Sequence, residues 1–411
     1  MQPNRSSQWS PILLALFSGL MALLFFIFAG VLLIAGCLEL FGIMPKTFQN
    51  ISPGQPFFLA LSLITGGSLL LPMGYYNIRK LLGKANEYFE IRKLPGWGVL
   101  FITIIWFLIV LSGDWLVNLG ATWGWLVELP IYLLAVSIPI YMFLQIGLRG
   151  IPLGSKLRSW SIFGLGLVLG PILILISEIT IVILSVFAGI IYFTNNPTLN
   201  QELLAFSNQL SSINTINQVQ ELLTPYLTNP WVIVIVLSFV SAIVPMFEEF
   251  LKPAGIWFAV NKKMLPRDGF AMGILSGAGY ALFETLNTAG NVGDGWGMLL
   301  LGRAGTDLLH IFNTGLMGWA LVSAWNLKGG LKLLGIYFLT ITIHGLWNGF
   351  SVTVGFSSLI NEFDIKNSWL GGLSVVGVIG LAFLSVLMLI TLCVMNHKMQ
   401  YVPVDKSQIE V

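Results

Sequence analysis

Residues 11–36 read PILLALFSGLMALLFFIFAGVLLIAG, a run without a single charged side chain. A helix that crosses the hydrocarbon core of a bilayer needs about 20 such residues. Backbone N–H and C=O groups find no water in lipid, so the run must close its hydrogen bonds within itself, as a helix. The same pattern returns at 57–78, 97–117, 124–146, 159–193, 231–260, 269–289, 298–325, 333–354 and 370–395. Composition agrees: of 411 residues, 56% are hydrophobic and 9% charged, against about a quarter charged in a soluble domain. A soluble enzyme, a disordered chain and a nucleic-acid binder are excluded. The expected fold is all-α, a polytopic transmembrane helix bundle of about ten spans.

Basic residues orient such a bundle, because Lys and Arg gather on the cytoplasmic side. With the N-terminus inside and each run crossing once, sixteen of the twenty Lys and Arg fall inside. Only Lys46 and Lys366 fall outside, and Lys252 and Arg303 lie within spans. Both termini are therefore expected in the cytoplasm. The run 159–193 could hold one long helix or two short ones. Two crossings would erase the charge asymmetry, so one is expected, its outer half projecting past Glu178. The first run is expected to stay as a span, since its core is too long for a signal peptide and no A-x-A site follows. Cys37 and Cys393 fall at opposite faces and are not expected to pair.

Four regions follow: five spans in 1–194, an extracytoplasmic segment 195–230, a second membrane domain 231–396, and a cytoplasmic tail 397–411. The segment 195–230 places Leu203, Phe206, Leu210, Ile213, Ile216, Val219, Leu223 and Tyr226 at spacings of three and four. That is the pattern of an amphipathic helix, either a connector on the outer leaflet or a lid. No internal repeat supports an inverted-repeat transporter.

Ionisable residues concentrate in four consecutive spans: Glu248, Glu249 and Lys252; Glu284; Arg303, Asp307 and His310; His344 with Asn348. Each charge at mid-bilayer costs on the order of 2.5–3.5 kcal/mol, and six facing lipid separately would cost on the order of 15–20 kcal/mol. That exceeds the net stability of an ordinary domain, so they are expected to face one another. At 1.5 Å per residue the two Glu-bearing and two His-bearing positions lie roughly 17–22 Å from the cytoplasmic helix ends. Glu248 and Lys252 are four apart, so the lysine is placed to neutralise that carboxylate within its own helix. Asp307 is placed to accept from His310 or to pair with Arg303. His344 and Asn348 share one face.

Four carboxylates and two cations leave an excess of two negative charges. A buried cluster answers that by holding protons or a divalent cation. In the first case a Glu acts as general base on water while His and Asn donate to the oxyanion. In the second, His310, His344 and Glu284 are the candidate ligands of one divalent metal such as Zn2+. Sequence leaves both open. Other hydrolase signatures are missing: there is no H-E-x-x-H, Ser276 lacks the G-x-S-G context, and Asp294 lies in a loop.

Glu248-Glu249-x-x-Lys252, Gly279-Tyr280-Ala281-Leu282-Phe283-Glu284, Arg303 followed by His310 and Gly318, and His344-Gly345-Leu346-Trp347-Asn348 together resemble the PrsW-type intramembrane proteases. These are grouped with the CAAX prenyl endopeptidases and the CPBP (Abi) proteins. The resemblance covers about 231–354. Thr285 stands where the family commonly has Asn, and Lys252 stands in place of the CAAX branch's Arg. The resemblance implies an endopeptidase in a prokaryotic plasma membrane that cuts membrane-anchored proteins such as anti-sigma factors. Glu248, Glu249, Glu284, His310 and His344 would be catalytic, with Lys252, Arg303, Asp307 and Asn348 supporting them. A non-catalytic scaffold or receptor of the same superfamily and a proton-coupled transporter are the competing readings.

Overall fold

The computed structural model describes residues 6–43, 54–91, 93–119, 124–259, 264–290, 295–327, 329–362 and 372–401. Arg5, Lys46, Arg92, Lys262, Lys263, Lys328, Lys366, Lys406 and Asp294 lie outside them, as do residues 402–411 of the expected tail. The helices are α1 (Ser6–Leu40), α2 (Gln55–Leu81), α3 (Gly96–Asn118), α4 (Gly124–Gly147), α5 (Lys156–Thr194), α6 (Pro197–Ser211) and α7 (Ile216–Leu227). There follow α8 (Pro230–Ser238), a π turn (Phe239–Ile243), α9 (Val244–Leu251), α10 (Ala254–Ala259), α11 (Pro266–Ala289), α12 (Trp296–Leu327), α13 (Gly330–Glu362) and α14 (Leu373–Gln400). Among the described residues there is no strand, only an isolated bridge between Tyr88 and Ser155.

Among the described residues each apolar run of the sequence lies largely on helix, the run 231–260 being interrupted by a turn at Lys252-Pro253. Eight helical segments among the described residues are long and apolar enough to cross a membrane, which makes this a multi-pass membrane protein. The 24-residue α11 and 32-residue α12 are not among those eight; they carry Glu284, Arg303, Asp307 and His310. The long fifth run is one helix of 39 residues, about 58 Å at 1.5 Å per residue. Segment 195–230 differs from the expected single helix. Thr215 and Gln218 form a capping box that starts α7 afresh, and reciprocal caps of this kind satisfy N–H groups that a helix start leaves without partners. The ring of Phe206 on α6 meets Tyr226 on α7 edge-on at 5.4 Å.

The chain divides into two compact units that do not follow chain order. The first comprises Met1–Pro171, Lys252–Tyr337 and Leu387–Val411. Its centre is α11, with eighteen of 24 residues buried. Two glycine edges let other backbones close on it. A Cβ on Gly269, Gly273 or Gly277 would lie 2.3, 2.2 or 2.5 Å from the carbonyl oxygens of Gly318, Thr314 and His310 on α12. On α11's other edge a Cβ on Gly279 would lie 2.3 Å from Phe163 O of α5. Such contacts are how membrane helices gain packing where lipid offers no hydrophobic drive. In its last turn, where carbonyls lack helical partners, Leu286 O accepts from Ser62 Oγ of α2 at 3.0 Å and from the Tyr132 hydroxyl of α4. Outside the helices, Glu87 accepts from Lys156 Nζ at 2.7 Å and pairs with Arg79. Those hydrogen bonds, Lys156's first, hold the Glu87 carboxyl below its ordinary value of 4.5.

The second unit comprises Ile172–Leu251 and Phe338–Val386. Here α13 and α14 meet through Gly377 and Gly380, where a Cβ would come 2.8 Å from Phe350 O and 2.6 Å from the Phe350 ring. Ile233 of α8 and Ile360 of α13 form a small buried apolar cluster.

Gly273→Ala is expected to cost about 1–3 kcal/mol through overpacking and to lower the folded yield on size exclusion. Gly302→Ala, with nothing within 4 Å, is the neutral control. Because the Glu87 carboxyl is lowered by folding, its contribution is present above the ordinary value and lost as pH falls through the folded one. Glu87→Gln should therefore unfold at a lower temperature than the parent at pH 7, with the gap closing below about pH 4.

Candidate functional site

The expected site residues fall into two clusters, one in each unit. In the second unit the local backbone is decided by Pro245, which has no N–H and would clash with a carbonyl one turn back. The helix relieves this by widening into the π turn, in which Val244 N–H returns to Phe239 O. Val240 O would next receive the N–H of residue 245, which proline lacks; Asn348 Nδ2 supplies the hydrogen instead, at 3.0 Å. Gly345 lies directly against the turn, where a Cβ would stand 2.0 Å from Ser241 O. The stretch His344-Gly345-x-x-Asn348 thus seats α13 on the π turn. That seating brings His344 Nδ1 to Glu249 Oε1 at 2.8 Å and leaves His344 Nε2 3.9 Å from Glu248 Oε2. Glu249 is fully buried. An ionised carboxylate only accepts; with Glu249 ionised, His344 donates from Nδ1 and its Nε2 faces Glu248.

In the first unit, α9 has ended at Leu251 and Lys252 stands in the turn before Pro253, beyond the helix that carries Glu248. This departs from the same-helix placement expected of the two, and Pro253 explains it, since the residue before a proline is disfavoured in helix. Ser276 Oγ donates to the Lys252 carbonyl at 3.0 Å. The Lys252 ammonium is buried to 1% exposure. It lies 2.8 Å from His310 Nδ1 and 4.8 Å from the Tyr280 ring centroid, near enough for cation–π attraction. His310 Nε2 meets Glu284 Oε2 at 2.6 Å. An ammonium only donates, so the neutral ring of His310 accepts at Nδ1 and gives its N–H to Glu284. Glu284 Oε1 accepts from Arg303 Nη1 at 3.0 Å.

Of the two places expected of Asp307, the one beside His310 is not taken, since both ring nitrogens face other groups, and Asp307 lies on the side of Arg303. It accepts from Thr285 Oγ1 at 2.6 Å, and that same oxygen accepts from Arg303 Nε and Nη2 at 3.1 and 3.0 Å. Thr285 is a member the sequence reading passed over, although it was already marked as the position departing from the family's usual Asn. Pro245 carries no such mark, and Gly345 stands in the His344–Asn348 motif without a role of its own; backbone accounting supplies both roles. Within the first unit, by formal charge, the two cations Lys252 and Arg303 equal the two carboxylates Glu284 and Asp307 in number.

The metal set considered from sequence, His310, His344 and Glu284, does not fit these positions. Neither ring nitrogen of His310 is turned to an ion, because Lys252 and Glu284 take both. Both oxygens of Glu284 are engaged as well. In the second unit Glu248 Oε2 and His344 Nε2 face each other, one short of the three protein ligands of a catalytic zinc. Among the described residues no group of three His, Cys, Asp or Glu is arranged to hold an ion.

No curated protein and no solved structure matches the chain. Residues 201–388, from within α6 to within α14 and including all nine expected site residues, match the family described as PrsW family intramembrane metalloprotease.

Proposed function

We propose that the protein is an intramembrane endopeptidase that hydrolyses peptide bonds of membrane-anchored protein substrates, anti-sigma-factor-like in kind. One observation carries the chemistry: the 3.9 Å gap between Glu248 Oε2 and His344 Nε2, beside a His344 ring oriented by Glu249. A separation of that size is too long for a hydrogen bond and suits a water held by both groups. The Glu248 carboxylate or the His344 lone pair takes a proton from that water as its oxygen attacks the substrate carbonyl. The new C–O bond gives a tetrahedral intermediate. Collapse breaks the C–N bond, and the stored proton passes to the leaving amine. Glu249 positions the imidazole, and Asn348 does so through the backbone of the π turn.

Glu284 and His310 are a second acid–base pair, held by Lys252, Arg303, Thr285 and Asp307. We assign them to the reaction too, on the strength of their place in the matched segment. The family description implies a divalent metal; the donor set fits one poorly, so the reaction is assigned to the chain's own groups. The basic-residue pattern supports both termini in the cytoplasm, and the family match is the ground for a prokaryotic plasma membrane.

Glu248→Gln and His344→Ala are each expected to reduce cleavage of a co-expressed membrane-anchored substrate by about 10²–10⁴-fold, with the variants accumulating in the membrane at normal levels. Cleavage at the parent rate in both would overturn the proposal; a parent protein that cleaves no substrate, with both variants losing folded protein, would favour a scaffold. Cleavage by purified protein is expected to survive chelation. Activity lost to a chelator and restored by Zn2+ would return the chemistry to a metal.

A further inference from the structure

The first unit contains a cavity of about 590 Å3 where the start of α3 meets the ends of α4 and α14. Its walls divide by chemistry. Leu94, Val99 and Ile146 are apolar, Gln145, Arg149 and His397 are polar or basic, and no Asp or Glu lines it. The walls are pinned. Asn396 Nδ2 donates to Gly147 O at 2.8 Å and Gln400 Nε2 to Arg149 O at 2.7 Å. Gln145 Oε1 accepts from Leu94 N at 3.3 Å, and its Nε2 donates to the Tyr141 hydroxyl at 2.9 Å. These bonds occupy the amides and the Arg149 carbonyl. They leave the exposed Arg149 guanidinium without an ion pair among the described residues. Beside the cavity, α3 presents an exposed apolar face of Trp97, Leu100, Phe101 and Ile104.

We propose that this cavity binds the head group of an anionic phospholipid. The phosphate sits against Arg149 and His397, and the acyl chains run along the exposed face of α3. The volume lies in the range of small-molecule sites. Three features select a lipid over a free anion: the apolar wall, the adjoining lipid-facing helix, and a place at the bundle end that the Lys and Arg distribution assigns to the cytoplasm. The leaflet on that side carries anionic lipid, which attracts each nearby basic residue. The site is independent of the peptidase reading.

Native mass spectrometry of the full chain in detergent, titrated with phosphatidylglycerol or phosphatidylcholine, tests it. One phosphatidylglycerol should bind in preference to phosphatidylcholine. Arg149→Gln should weaken the phosphatidylglycerol adduct about five-fold, the worth of one basic residue near an anionic head group. Arg149→Lys should retain it, and His397→Gln gives a second reading of the same pocket. Lys84→Gln, an exposed base outside the cavity, should change nothing. Equal binding of the two lipids, an equal loss in Lys84→Gln, or displacement of the lipid by equimolar inorganic phosphate would each overturn the proposal.

Discussion

A charged amine inside a membrane protein must be met by partners or it unfolds its surroundings. Lys252 is buried to 1% exposure, and much of the first unit follows from meeting it. The His310 lone pair receives one hydrogen and the Tyr280 face lies beneath the charge. Holding His310 there requires α12 to approach α11 closely, which the glycines at 269, 273 and 277 permit. Its other nitrogen then fixes Glu284, Glu284 engages Arg303, and Arg303 reaches Thr285 and through it Asp307. Each group in the series completes the one before it. The series ends at Asp307, whose Oδ1 is engaged while its buried Oδ2 has no hydrogen-bond partner among the described residues; a break at any earlier member would leave a buried charge uncompensated.

The second unit obeys the same rule in its backbone. Pro245 removes an N–H from a membrane helix, and the carbonyl so orphaned has to be answered from elsewhere. Asn348 answers it, and Gly345 makes room for the approach. The position of His344 beside Glu249 is thus a consequence of a missing backbone hydrogen four residues before Glu249.

Much of this was legible in the sequence because its signals do not depend on context. An apolar run of twenty or more residues is helix in lipid wherever it sits, and among the described residues the runs lie largely on helix. The site residues were found because intramembrane charge is too costly to be incidental. What stayed hidden depends on backbone geometry. The break at Thr215 lay under an unbroken apolar periodicity, since capping answers to N–H groups and periodicity to side chains. Proximity along the chain placed Lys252 in the helix of Glu248, but Pro253 ends that helix first. Which hydroxyl or carboxylate reaches which cation, as with Thr285 and Asp307, is decided by helix rotation, and spacing constrains that only to a face.

The polarity of α11 and α12 bears on how the protein is made. Neither reaches the apolarity of the eight helices able to cross a membrane by themselves, and both carry charge. Left alone at the point of insertion, each would face lipid with ionised groups and an open glycine edge. Synthesis runs from the N-terminus, so α2, α4 and α5 are already in the bilayer when α11 emerges. Their Ser62, Tyr132 and Phe163 contacts await it. Helices α1–α5 would then serve as a receiving surface during biogenesis, and the two chemically richest helices would enter the membrane as guests of those translated before them.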